Sequence, residues 1–253
     1  RRSSSAASDV YKRQGHGHVF VGANVPFGGV QVGPTNFNKG WDWSSSYHHT
    51  DSIVKGFCHI NVSGTGMSDL GELTIMPATG ELKTGAGTQE NHMAGYSSLY
   101  RKNKEFATAG YYKVHLERYD IDVELTATER VGLHNYIFPA AEKSRIIIDL
   151  GEGSADRPTE TYIKKVNDTL FEGHRFSTGW ARDQREYFSL VISKPVSDFI
   201  IYDRHKKFKG IERKGDYVKG FLEFSTEKDE KIMVKMGIST VSSKNALENM
   251  MIE

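Results

Sequence analysis

YDIDVELTATERVGLHNYIF, residues 119–138, decides the fold. In its first half Tyr119, Ile121, Val123, Leu125 and Ala127 are apolar, and Asp120, Asp122, Glu124, Thr126 and Thr128 alternate with them. A strand with one buried and one wet face requires this period of two. Working outward, GYYKVHLE (110–117), RVGLHNYIF (130–138), SRIIIDL (144–150), EYFSLVIS (186–193), DFIIYD (198–203), YVKGFLEFS (217–225) and KIMVKMGI (231–238) are short runs of the same kind. They are rich in β-branched and aromatic residues and separated by turn-forming residues. Helical spacing is almost absent, so the intervening helices that parallel sheets need are missing. The pattern predicts an all-β chain, a large antiparallel, supersandwich-like β-sandwich spanning residues 15–240.

The two ends depart from this pattern. Residues 4–14, SSAASDVYKRQ, match the translation of a transposon-end adapter used in preparing DNA for sequencing. Residues 1–14 are therefore read as adapter-derived and set aside. The native start and any export signal are expected upstream. At the other end Ser242 or Ser243 can cap a helix that carries Ala246, Leu247, Met250 and Met251 at spacings of three and four. Residues 241–253 are expected to begin a helical linker, presenting Leu247, Met250 and Met251 to a further domain.

Composition narrows the function classes. The chain of 253 residues has a formal net charge of +1, of which residues 1–14 contribute +3, leaving −2 for residues 15–253. A near-neutral body of mixed signs gives no electrostatic reason to expect nucleic acid or an anionic membrane as partner. No apolar run reaches the 18 or so residues of a membrane span. Cys58 is the single cysteine, which excludes an internal disulfide.

Candidate chemistry concentrates near the start. GWDWSSSYHHTD (40–51) holds Trp41, Trp43 and Tyr47, while His16, His18, His48, His49 and His59 fall in the same region. These histidines match no standard zinc spacing, so no metal is assigned and sugar-contacting or loop histidines are preferred. The aromatic rings suit either a core or a ligand wall. Alternation would set the two tryptophans on one side and Asp42 on the other. SGTG (63–66) and GAG (85–87) fit neither a Walker loop nor a dinucleotide fingerprint. Such glycines let loops turn or let backbone approach a ligand. DRHKKFKGIERKGD (203–216) reads as a solvated hairpin loop. Cys58 reads as a small buried residue, with His59 directed to the opposite face. Two Asn-x-Ser/Thr tripeptides begin at Asn61 and Asn167, and no carboxylate pair announces itself as acid and base.

GHGHVFVGANVPFGGVQVGP (15–34), GWDWSSSYHHTDSIVKGFCHINVSGTGMSDLGELTIMP (40–77), AGYYKVHL (109–116), ELTATERVGLHNYIFP (124–139) and GWARDQREYFSLVISKP (179–195) occur in an order that resembles the N-terminal domain of glycoside hydrolase family 92. The members are calcium-dependent exo-acting α-mannosidases. The resemblance implies a bacterial enzyme of two domains, this sandwich and an (α/α)6 barrel beyond residue 253. It implies inverting hydrolysis, in which an acid protonates the leaving oxygen and a separate carboxylate activates water. The acid, the base and the ligands of calcium are expected in the barrel, so no catalytic residue, cofactor or metal ligand is expected in this chain. The expected partners are that barrel and mannose-containing glycans. The parent is expected to be a monomer, exported to the periplasm or cell surface.

By the same resemblance the sandwich supplies part of the substrate-pocket wall. Trp41 or Trp43 is the preferred contact, with Tyr47 beside it and His16, His18, His59 and Asn61 shaping the rim. The family's frequent SHTH pattern is altered here, Cys58 standing for Ser and Asn61 for the second His. Two rivals remain at this stage: a free-standing carbohydrate-binding sandwich that does not cleave its sugar, and a purely structural sandwich. The reading frame downstream of codon 253 discriminates the enzyme from the first rival.

Overall fold

The computed structural model describes residues 18–64 and 66–253, so His16 and the adapter-like residues lie outside the described residues. Among the described residues the first hundred carry short strands: β1 (Gly33–Thr35), β2 (Ile53–Val54), β3 (Gly56–Cys58), β4 (Ile60–Asn61), β5 (Leu70–Glu72), β6 (Thr74–Thr79) and β7 (Ser98–Leu99). Longer ones follow as β8 (Glu105–Thr108), β9 (Tyr111–Leu116), β10 (Ile121–Ala127), β11 (Val131–Phe138), β12 (Ala141–Asp149), β13 (Arg157–Lys165) and β14 (Leu170–Thr178). The last are β15 (Gln184–Ile192), β16 (Asp198–Asp203), β17 (Lys206–Phe208), β18 (Glu212–Gly215), β19 (Val218–Thr226) and β20 (Glu230–Ser239), before the helix α1 (Ser243–Ile252).

The long strands form two antiparallel sheets that face each other. One has the order β1-β3-β6-β12-β19-β16-β17, the other β18-β13-β14-β15-β20-β11-β10-β9-β8. Small pairs, β2 with β7 and β4 with β5, sit beside them. Ile121, Val123, Leu125, Val234, Met236, Phe188 and Leu190 of the larger sheet meet Ile146, Ile148, Phe221 and Leu222 of the smaller within one buried cluster. The expected all-β sandwich is what the chain adopts.

The face that each strand buries is set by its partners. In β11 the alternating residues Gly132, His134, Tyr136 and Phe138 are buried, together with Val131 at its start, because Leu125 pairs with His134 and Val123 with Tyr136. In β12 a continuous run, Ser144 to Asp149, is buried on both faces, since the loop through Ala86 and Tyr96 covers the far side. Tyr96 donates its hydroxyl proton to Asp149 there.

Two sequence expectations need correction, and one hairpin went unforeseen. The basic run 203–216 is not a plain loop: β17 extends the edge of one sheet and β18 the edge of the other, so the segment links both. Arg213 lies 3.7 Å over the Phe208 ring and pairs with Asp203 at 3.1 Å, which uses its charge internally. Strands β13 and β14 do not stand out in the sequence, because the inward positions of this hairpin include Thr161, Gly173, Arg175 and Ser177. Finally, α1 is present with Ser242 accepting from the Asn245 N–H at 3.1 Å, but Met250 is buried rather than presented outward. The helix lies on the outer face of β15 and β20, where Gly237 leaves room for Ala246 and Met250. Met251 remains exposed and Leu247 is half-buried.

Candidate functional site at the Trp41 loop

GWDW does not run as a strand. Trp41–Trp43 is one turn of 3₁₀ helix, entered through Gly40 at φ 119, a value that requires glycine. Asn38 accepts the Gly40 N–H at 2.8 Å, and the Gly40 carbonyl accepts from Trp43 N–H at 3.0 Å. At about three residues per turn the two indoles diverge, so the expected same-side arrangement is replaced by two different environments.

Trp41 stays 57% exposed, yet its neighbours define its position. The His18 ring meets it edge-on, with centroids 4.1 Å apart and planes at 89°. On another side its Nε1 lies where a Cβ on Gly66 would fall, 2.5 Å away, so only glycine permits that approach. His18 itself is buried: its carbonyl accepts from Gly64 N–H at 2.6 Å and from the Ser45 hydroxyl, and its Nε2 lies 3.4 Å from Asp42. His18 and Gly66, distant from Trp41 in sequence, thus converge on one exposed indole.

Trp43 has a different role. Its indole N–H donates to Asp51 at 3.0 Å, its face stacks on His48 at 4.2 Å, and Lys39 pairs with the same carboxylate at 2.9 Å. Burial is the leading reason that His48 titrates below an ordinary histidine, with Asp42 and Asp51 opposing the shift.

The remaining sequence candidates point inward. Tyr47 is buried, donating to Glu105 at 3.1 Å and accepting from Lys102 at 2.8 Å. Asn61 is buried, donating to the Gln31 carbonyl at 2.9 Å and accepting from the Cys58 thiol at 3.2 Å. His59 is fully buried between the sheets, with Nδ1 2.8 Å from the Leu73 carbonyl and Nε2 3.0 Å from Nε2 of His134. Burial drives its pKa down to about 4. The structure therefore gathers His18 and Trp41 at the rim and directs Tyr47, His59 and Asn61 to internal partners.

Beside the rim lies a cleft of about 510 Å³, lined by Val62, Met67, Asp69, Leu70, Trp180, Ala181 and Gln184. Met67 follows Gly66, so Trp41 and the cleft share one loop. Trp180, 76% exposed in the turn before β15, was not singled out from the sequence. The signal available was a tryptophan directly after Gly179, in a turn too short to bury it. Among the described residues no three His, Cys, Asp or Glu side chains come together so as to hold a metal ion, so the calcium implied by the resemblance finds no ligand set there. No helix among them is long and apolar enough to cross a membrane.

A family model described as the glycosyl hydrolase family 92 N-terminal domain matches residues 11–239. Among solved structures, the family GH92 α-mannosidase BT3965 from Bacteroides thetaiotaomicron, in complex with mannoimidazole, is 31% identical at a TM-score of 0.91. That match covers 94% of this chain and 32% of that one. The GH92 family glycosyl hydrolase ccman5 is 20% identical at a TM-score of 0.83, covering 98% of this chain and 34% of its own. The family GH92 inverting mannosidase BT2199 from Bacteroides thetaiotaomicron VPI-5482 is 24% identical at 0.79, covering 94% and 31%. At those identities the latter two speak to the fold alone. The chain spans about a third of the length of these structures. No curated protein matches it.

Proposed function

The chain belongs to the glycosyl hydrolase family 92 N-terminal domains, and from that premise we propose that it is the sandwich domain of a bacterial, exported α-mannosidase and forms part of its substrate-pocket wall. The observation that carries this reading is Trp41: a large, exposed indole whose orientation is fixed by His18 and Gly66. A preset aromatic face binds the apolar face of a sugar ring at little entropic cost and excludes water beside it. His18 and Asp42 flank the ring with polar atoms that can orient hydroxyls. The α-mannosidase BT3965, solved with mannoimidazole, supports a terminal α-mannoside as the substrate class.

In this proposal the parent hydrolyses with inversion, and the acid, base and calcium ligands reside on polypeptide outside residues 1–253. The sandwich orients the leaving-group side and releases no mannose on its own. The test compares mannose release by this chain, by the polypeptide from the complete reading frame, and by its Trp41→Ala variant. The expected result is no release by the chain, release by the complete polypeptide, and a fall of about tenfold or more in kcat/KM for Trp41→Ala with unchanged Tm. Full activity in Trp41→Ala would end the pocket-wall assignment, and release by the chain alone would end the division of labour.

A further inference from the structure

Behind the cleft lies a buried polar chain whose hydrogens can be counted. Arg175 is fully buried on the inner face of β14; it pairs with Asp156 through Nη1, donates to the Leu150 carbonyl from Nε at 3.0 Å, and has Nη1 2.8 Å from Glu72 Oε2. Ser177, two residues on, has its hydroxyl 3.1 Å from Glu72 Oε1 and 2.8 Å from Gln184 Oε1. Gln184 donates from Nε2 to Asp69 Oδ2 at 2.9 Å, and Ala181 N–H reaches the same oxygen at 3.4 Å.

The amide of Gln184 must face Asp69 with its NH₂ group, because Asp69 there accepts. Its Oε1 is then turned to Ser177, which must spend its single hydroxyl proton on it. A second hydrogen is needed between Ser177 and Glu72, and only Glu72 can supply it. The charges around Arg175 agree: its guanidinium already pairs with the Asp156 carboxylate, so a neutral Glu72 avoids a second carboxylate on one buried guanidinium.

We infer that Glu72 is a neutral carboxylic acid whose proton sets the direction of a chain, Glu72 to Ser177 to Gln184 to Asp69, that positions the Trp180 turn and the floor of the cleft beside Trp41. Burial, reinforced by Asp156 and opposed by Arg175, pushes the Glu72 carboxyl up to about 8. Deprotonation leaves Ser177 with one proton between two acceptors and places two carboxylates on one guanidinium. The link to Gln184 weakens, and with it the hold of Asp69 on Ala181. Besides Asp69 and Glu72, the charged groups around the chain are Asp156 and Arg175, then Glu152, which Lys55 chiefly holds low, and Glu186, the register partner of Arg175, which burial raises to about 7. Nothing in this chain depends on what Trp41 binds.

Two readouts test it on the 253-residue protein. The infrared carbonyl band of protonated carboxylic acids near neutral pH should contain a component that vanishes with a midpoint about pH 8 and is absent in Glu72→Gln; Glu186→Gln removes the separate component of the second buried acid, which titrates about pH 7. The emission component removed by Trp180→Phe should titrate with the same midpoint in the wild type and stay constant in Glu72→Gln. Ser177→Ala, should Glu72→Gln not fold, should keep the Glu72 carbonyl component and uncouple the emission from it. A carbonyl component with its midpoint about pH 8 that persists in Glu72→Gln and disappears in Glu186→Gln overturns the inference, as does Trp180 emission that titrates unchanged in Glu72→Gln or Ser177→Ala.

Discussion

Lowering the pH from 7 to 4 should destabilise the sandwich through the two histidines between its sheets. His59 Nδ1 faces the Leu73 carbonyl at 2.8 Å and must carry a hydrogen, so its Nε2 holds a lone pair. The facing His134 Nε2, 3.0 Å away, must then donate, which leaves His134 Nδ1 to accept the Tyr136 hydroxyl at 2.7 Å. Every position is filled with both rings neutral, and an added proton sets N–H against N–H in a dry interior. The folded state holds His59 at about 4 instead of 6.5, a difference of about 3 kcal/mol. Because the folded value is the lower one, that stability is present above pH 6.5 and is lost as pH falls through about 4; His134, also lowered by burial, acts in the same direction. Urea unfolding followed by circular dichroism at several pH values reads the loss. In His59→Asn, whose amide can still donate to Leu73, stability at pH 7 drops but the acid-dependent part shrinks by about 3 kcal/mol. Parallel pH profiles for the two proteins would refute the reasoning.

Gly66→Ala should turn the Trp41 indole, since the new methyl meets Nε1 at 2.5 Å, changing tryptophan emission while leaving Tm nearly unchanged. Gly237→Ala meets the backbone of α1 and should cost about 1–3 kcal/mol in denaturation, with faster amide exchange confined first to residues 243–252. Ser242→Ala removes the cap on Asn245 N–H and should cost about 1 kcal/mol by the same measurement. Arg175→Met strands the buried Asp156 carboxylate and should cost about 3–5 kcal/mol in urea unfolding at neutral pH.

How much of the molecule was readable beforehand varies from element to element. Alternation in residues 119–128 assigned both the type and the buried face of β10, and the serine cap with its spaced apolar residues assigned α1. In β11 apolar side chains occur on both faces, Val131, Leu133 and Ile137 against Tyr136 and Phe138, and only pairing with β10 and β20 turns His134 inward. The β13–β14 hairpin was hidden because Arg175 and Ser177 occupy core positions that period-two reading expects to be apolar. At the site, aromatic density marked the Trp41 loop, whereas Trp180 joins it through a fold contact 139 positions later in the chain.

Local periodicity, capping and the order of the long segments act between near neighbours, so the chain alone settles an all-β sandwich with a terminal helix and its family. Which of two tryptophans faces solvent, which histidines meet in the core and which acid holds a proton depend on groups supplied by other strands. Burial, charge balance and hydrogen-bond supply are properties of the assembled interior, and only the tertiary structure decides them.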